Sequence, residues 1–451
     1  MKIAIDQSFE GIGSFYREGI FVYNGFLVDA LLTNNKNLEI DIWCIKENME
    51  EFKRVYAESI KKYPDRINFI TQVLVNPKWY QRNFFKYVWY AIIQNFYELL
   101  FKVTRKRKSL CLLTKYKDKK HALSAPIIRP LSKMVSKSDA DVSFIDVVIL
   151  QGAHLFKGPK VFMLHDLFTI PLVDLFRDLI PDIDELNRKA IDNLKRYADE
   201  GAYFVTSSTY IRDEQLLKYV SNLSYDKTSV ISFPPMIKKF NTDEVLTEKK
   251  FRKKFNIDCA YIPYASQNRP NKNVILLLKA LKRLKANGVK ISVVTTGNFR
   301  GLKRCASYIK KNKLENMIIE IGSVSENDLY ALYKYASLAV IPTIIEGLGM
   351  SGQCLEALSF GTIPVIHAKS LGIKESLELV GLSMESADLN WVDLNDDKGL
   401  AEKIEEVLKN PNSHIEKQKH IIDAYTKRTW DDVAHDYMDL FEKIINKEHK
   451  K

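Results

Sequence analysis

Apolar residues along the 451-residue chain fall into short runs separated by longer amphipathic stretches, an alternation regular enough to predict elements. In the first half, the runs at 2–5, 38–44, 142–150, 161–164, 203–206 and 229–233 are short and rich in β-branched and aromatic residues, and read as buried strands. Residues 20–32 read as an amphipathic helix between the first two. Pro234 and Pro235 break the pattern, and 238–256 is charged and weakly apolar, so a domain boundary is expected there. The second half predicts strands at 261–265, 291–296, 317–321, 338–342 and 363–367, with helices at 274–284 and 327–335. Strands alternating with helices imply βαβ units and a parallel sheet. The expectation is an α/β chain of two doubly wound, Rossmann-like domains, 1–237 and 238–429, with a closing segment 430–451. In that segment Val433, Tyr437, Leu440, Phe441 and Ile444 share one helical face. Ligands of open parallel sheets bind outside the carboxyl ends of the strands, which makes the cleft between the halves the expected site.

Composition narrows the class. At 46% hydrophobic and 27% charged residues the chain is an ordinary globular protein, neither disordered nor fibrous. Its five cysteines (Cys44, Cys111, Cys259, Cys305, Cys354) are scattered and lack CxxC spacing, which argues against a disulfide framework or zinc knuckle and points to a reducing, cytoplasmic compartment. The first residues are too polar for a secretory signal. The most apolar long window, 84–103, contains Lys86, Gln94, Asn95, Glu98 and Lys102, a load no spanning helix carries.

Charge is unevenly placed. With 68 Lys and Arg against 56 Asp and Glu the chain carries +12, and residues 77–135 alone hold 14 basic side chains against Glu98 and Asp118, so the remainder is neutral. Ten of the 50 aromatic residues fall between Trp79 and Phe101, just before Arg105, Lys106, Arg107 and Lys108. Read as a helix, this stretch aligns Phe85, Val88, Trp89, Ile92, Phe96, Leu99 and Leu100. Two readings stand: a peripheral contact with an anionic membrane surface, or an amphipathic helix packed on its domain with a solvated basic loop behind it. No nucleic-acid-binding motif accompanies the charge, so nucleic acid is not an expected partner.

The densest chemistry lies at 341–366, IPTIIEGLGMSGQCLEALSFGTIPVI. A strand ends near Pro342, a loop carries Glu346, Gly347, Gly349 and Gly352, and an apolar helix follows with Glu356 and Ala357. Glycines before a helix N-terminus let backbone N–H groups approach a phosphate, and two carboxylates flanking such a loop can accept hydrogen bonds from hydroxyls on either side of a diphosphate.

These residues, with Gly361, Pro364 and Val365 after them, resemble the signature of the retaining glycosyltransferases of the large family 4 group, which have the GT-B fold. The resemblance implies that Glu346 contacts a donor sugar and Glu356 holds the ribose, although the two lie ten residues apart here and eight in the family. In the stretch 264–273, YASQNRPNKN, Lys272 falls on the family's diphosphate-binding lysine and Gln267 on its arginine position. Arg269 either substitutes for that arginine or serves as a helix-end or solvated charge. In VFMLHD, 161–166, His165 matches a histidine that reaches the donor sugar, while a structural histidine is the alternative. Gly11 and Gly13 resemble the N-terminal loop that approaches the diphosphate or acceptor, or form an ordinary turn.

The implied activity is metal-independent transfer of a hexose-type sugar, with retention, from a nucleoside diphosphate sugar to a glycan or lipid-linked acceptor of cell-surface polysaccharide. Glu346 and His165 would be catalytic. Lys272, Arg269, Gln267, Gly349, Gly352 and Gly13 would hold the diphosphate, with no resident cofactor or metal. A nucleotide-sugar epimerase of the same fold, and a noncatalytic scaffold that binds membranes or polyanions through 77–135, are the alternatives.

Overall fold

The computed structural model describes residues 1–8, 19–72, 74–75, 89, 92–93, 95–96, 127–128, 138–148, 152–177, 179–236, 245–347, 350–361 and 363–448. The first half is built on a seven-stranded sheet: β1 (Lys2–Gln7), β2 (Glu39–Ile45), β3 (Ile67–Gln72), β4 (Val142–Ile145), β5 (Lys160–Leu164), β6 (Tyr203–Thr206) and β7 (Thr228–Val230). All run parallel, in the order β3-β2-β1-β4-β5-β6-β7. The central strands are buried along almost their whole length, which is why they appear in the sequence as continuous apolar runs. Strand β3 was not signalled in this way, because INFITQ is short and mixed in polarity. Conversely, β4 stops well before residue 150. At Asp146 the chain turns into a buried polar cluster in which the carboxylate accepts from Gln7 Nε2 (3.3 Å) and from Asn24.

The order reverses between β1 and β4, which opens a crevice at their carboxyl ends. Helix α1 (Gly19–Asn34) follows the β1 loop, whose residues Gly11 and Gly13 lie outside the described ones.

The second half begins with α2 (Glu248–Phe255), inside the charged stretch where the domain boundary is expected. Its four lysines mask a single apolar anchor, Phe251, which is fully buried. Strands β8 (Ala260–Tyr264), β9 (Ile291–Thr295) and β10 (Ile318–Glu320) form one parallel ladder, and β11 (Ala339–Ile341) with β12 (Val365–His367) another. The ladders meet where Ser337 N–H donates to Tyr261 O (2.9 Å), so the strand order again reverses, at β8 and β11. Helices α3 (Val274–Ala286), α4 (Lys303–Asn312), α5 (Gly352–Phe360) and α6 (Asp397–Lys409) cover this sheet.

Helix α7 (Trp430–Glu448) belongs to neither neighbour in sequence. Its Val433, Ala434, Tyr437, Leu440, Phe441 and Ile444 are buried in one core with α1 and with β1, β2, β4 and β5 of the first sheet. Tyr23 OH donates to Tyr437 OH (2.8 Å), whose own proton goes to Met163 Sδ (3.4 Å), and Phe26 stacks on Trp430 at 5.2 Å. Tyr437→Phe, which leaves the Tyr23 hydroxyl buried without its acceptor, is expected to cost about 1 kcal/mol. Tyr437→Ala, which empties the volume between Phe144 and Phe441, should cost about 3–5 kcal/mol. Urea unfolding followed by far-UV circular dichroism measures both, and equal costs would show that the ring does not fill this core.

Candidate active site

Lys272 closes a single 3-10 turn, Pro270–Lys272, directly after β8. Asn273 then takes positive φ (50°) and redirects the chain into α3. This places the Lys272 ammonium 2.5 Å from Glu346 Oε1, with both side chains only 16% exposed. Thr343 Oγ lies 2.7 Å from the same oxygen and 3.1 Å from the Asn271 carbonyl, so one hydroxyl proton serves both. Ile344 N–H donates to Asn271 O (2.8 Å) and Asn271 Nδ2 to Ile345 O (3.2 Å). The loops after β8 and β11 are thus laced together, and Glu346 is held where their strands diverge.

The next residue meets the other half of the molecule. A Cβ on Gly347 would stand 2.5 Å from the His165 carbonyl and 3.2 Å from Asp166 Oδ2, so only glycine allows this approach. Ser207 Oγ, after β6, donates to Gly347 O (2.6 Å). The carboxyl ends of β5 and β6 therefore press on the Glu346 loop.

Burial sets the charges in this cleft. Desolvation, followed by repulsion from Glu346, pushes the Asp166 carboxyl up to about 7. Burial lowers His165 to about 4, so its imidazole is neutral, and its Nε2 has no hydrogen-bond partner among the described residues. The ring lies edge-on to Tyr23 at 5.1 Å, which links it to the Tyr23–Tyr437 contact with α7. Glu356, in the second turn of α5, is also raised to about 7 by burial, an effect that the neighbouring Tyr333 hydroxyl and Lys272 oppose. Helix α5 is capped by Ser351, whose Oγ accepts from Cys354 N (3.1 Å), and Gly352 at its start faces open space. Arg269 donates from Nε to Gln267 Oε1 (3.0 Å), and its charge, like that of Lys272, is felt at Asp166.

Of the residues singled out from sequence, Lys272, Glu346, His165, Arg269, Gln267 and Glu356 thus gather at the carboxyl ends of β5, β8 and β11. Gly13 and Gly349 lie outside the described residues. Thr343, Asn271 and Tyr333 escaped the sequence reading because each acts through another residue. The one available signal was Thr343, a hydroxyl three residues before Glu346 at a strand end. Two Asp-x-Asp sequences lie elsewhere. Asp139 and Asp141 precede β4 and bind Lys2, and in the second Asp184 is taken by Arg177.

Residues 247–428 match the family described as "Glycosyl transferases group 1". The match takes in both the Lys272 and the Glu346 loops. A curated relative, an uncharacterized glycosyltransferase of Methanocaldococcus jannaschii, is 24% identical over 263 residues, which cover 56% of this chain and 62% of the relative's own length. Among solved structures, Anabaena HepE in complex with UDP and glucose superposes with a TM-score of 0.61 at 13% identity, over 98% of this chain and all of that one. Sucrose-phosphate synthase of Thermosynechococcus elongatus gives 0.61 at 15% identity over 99% of both chains. The apo lipopolysaccharide outer core galactosyltransferase WaaB gives 0.54 at 14% identity, over 98% of this chain and all of that one. At such identities the likeness establishes architecture, and that architecture is GT-B.

The second half contributes Glu346 to the cleft and the first contributes Asp166, and their proximity has a pH signature. The unfolded Asp166 titrates near 3.8 and the native one near 7, so the native chain holds a proton that the unfolded chain has lost, and stability falls as pH rises between those values. In Asp166→Asn that loss disappears. The variant's unfolding free energy, followed by urea unfolding, should gain on the wild type's by about 1–2 kcal/mol from pH 4 to 7, once residual solvent is allowed for, and level off above. A constant difference across this range would mean that Asp166 ionises freely.

Proposed function

We propose that the chain is a retaining glycosyltransferase that moves a hexose-type sugar from a nucleoside diphosphate sugar to a glycan or lipid-linked acceptor at the cytoplasmic face of a membrane, in cell-surface polysaccharide synthesis. The observation that carries the proposal is the Lys272–Glu346 pair, within the stretch that matches the group 1 family and set between Glu356 on one side and His165 on the other. Relatives of the same fold are described with UDP and UDP-glucose bound, or as a galactosyltransferase of lipopolysaccharide, which supports a nucleotide-sugar donor.

In this mechanism Glu356 accepts the ribose hydroxyls. The donor diphosphate draws Lys272 away from Glu346, and the α5 N-terminus adds positive potential at the leaving oxygens. Glu346, released from its ion pair, and neutral His165 hold the sugar hydroxyls. The glycosidic C–O bond to the phosphate breaks as the acceptor oxygen attacks from the same face, and the acceptor's proton passes to the departing phosphate. No protein nucleophile, resident cofactor or metal is called for in this scheme.

Trp89, Ile92 and Phe96, on helical backbone within the basic segment, are 60%, 56% and 59% exposed. Their exposure favours the membrane-facing reading of that stretch, and with it a lipid-linked acceptor. No helix among the described residues is long and apolar enough to cross a membrane.

Thermal unfolding against UDP, GDP, ADP, dTDP and their sugar conjugates tests the donor site. One nucleotide should stabilise selectively, by about 2.7 kcal/mol at 100 times its dissociation constant, and the effect should vanish in Glu356→Ala and Lys272→Ala. Glu346→Gln should keep or tighten nucleotide binding, because it frees Lys272, while transfer falls at least about 100-fold. Full transfer activity in that variant would remove Glu346 from the mechanism. Liposome flotation on anionic vesicles should be lost in Trp89→Ala/Phe96→Ala, and unchanged flotation would move the membrane contact elsewhere.

A further inference from the structure

Beside the Lys272 loop, on the side of α3 and α4, lies a cavity of about 360 Å³ that shares Arg269 with the cleft. Arg269, Lys279, Lys303 and Arg304 line it, against one acid, Asp174, which is held by Arg177 at 3.1 Å. Among the described residues Lys279, Lys303 and Arg304 form no ion pair, whereas Arg283 and Arg300 nearby are paired with Asp397 (2.5 Å) and Glu320 (2.6 Å).

The helices around the cavity are arranged against ordinary preference. Helices α3 and α4 both open into it at their first residues, Val274 and Lys303. Neither has a side-chain cap or an acidic residue in its first turn, in contrast to the Ser-capped α5 and the Asp-capped α6. Lys303 and Arg304 even place two cations at the positive end of α4, an unfavourable position unless an anion is present. The lining also includes Leu175 and Leu179, from the β5 side of the cleft, and Ile344, two residues before Glu346. An occupant would therefore touch both halves of the molecule and share a loop with the donor diphosphate.

We propose that this cavity binds the phosphate-ester group of a phosphorylated acceptor, with the sugar body against the leucines. Unpaired cations and open helix N-termini recognise phosphate, and the volume suits a ligand the size of a hexose phosphate. The assignment of that ligand as acceptor rests on the glycosyltransferase reading, while the anion site itself does not.

Calorimetry on the full chain separates the two. The probes are inorganic phosphate, glucose 6-phosphate, glucose and UDP, and the variants are Lys303→Ala/Arg304→Ala, Lys303→Arg/Arg304→Lys and Lys272→Ala. Both variant pairs replace exposed side chains, so folding should be retained. Glucose 6-phosphate should bind and glucose should not. The double alanine variant should weaken glucose 6-phosphate about ten-fold or more and UDP less than two-fold, the charge-conserving pair should restore it, and Lys272→Ala should weaken chiefly UDP. The proposal is overturned if neither phosphate nor glucose 6-phosphate binds, if the alanine pair leaves their affinity unchanged, or if UDP weakens in parallel, which would assign these cations to the donor. Binding of glucose 6-phosphate that depends on Lys303 and Arg304, with no nucleotide bound by the wild type, would uphold the anion site and sink the transferase reading instead.

Discussion

The cleft is organised by one half-buried ion pair. Lys272 and Glu346 come from loops 74 residues apart, and each leaves only 16% of its side chain in contact with solvent. A pair so placed gains little net stability, because desolvation of both charges offsets most of their attraction. What it fixes is geometry. Thr343 and Asn271 are drawn into the same lattice of hydrogen bonds, Gly347 is delivered to the His165 carbonyl, and the two sheets are brought together at their carboxyl ends. A small net stabilisation is also what lets a stronger anion displace the carboxylate without a large penalty.

The groups around that pair carry less negative charge than their residue types suggest. Asp166 and Glu356 both titrate near neutrality and His165 is uncharged, so the cleft presents Lys272 and Arg269 against few ionised neighbours. Burial causes all three shifts, and at Asp166 the Glu346 loop of the other half adds to it. Closure and charge are therefore one property. A separation of the sheets that rehydrated the strand ends would return Asp166 toward its ordinary ionised state and make the site less hospitable to a diphosphate.

Much of this was visible in the sequence because buried parallel strands have no polar face to confuse the pattern. The runs at 161–164 and 203–206 correspond closely to β5 and β6, and the IPTIIEG stretch identified Glu346 at a strand end. The failures have physical causes. Strand β3 and helix α2 each bury few apolar residues, so local composition masks them. The Gln7–Asn24–Asp146 cluster is formed by three segments distant in sequence, and no local window contains it. Likewise the supports of Glu346 and Glu356, Thr343 and Tyr333, are ordinary residues whose role arises only from tertiary contact. Sequence motifs exposed the charged groups of the cleft, and the fold supplied the environment that alters their protonation.

Helix α7 bears on how the protein is made. The core of the first sheet contains Tyr437, Phe441 and Ile444, which the ribosome adds more than 200 residues after β7. During synthesis the β1, β4 and β5 face that will receive them stands uncovered, while the second sheet, complete by residue 426, can already close around its own core. Order of emergence and order of completion are thus reversed: the half translated first is finished last. A nascent chain of this architecture exposes an apolar surface until α7 docks, and such a surface is a place where chains associate.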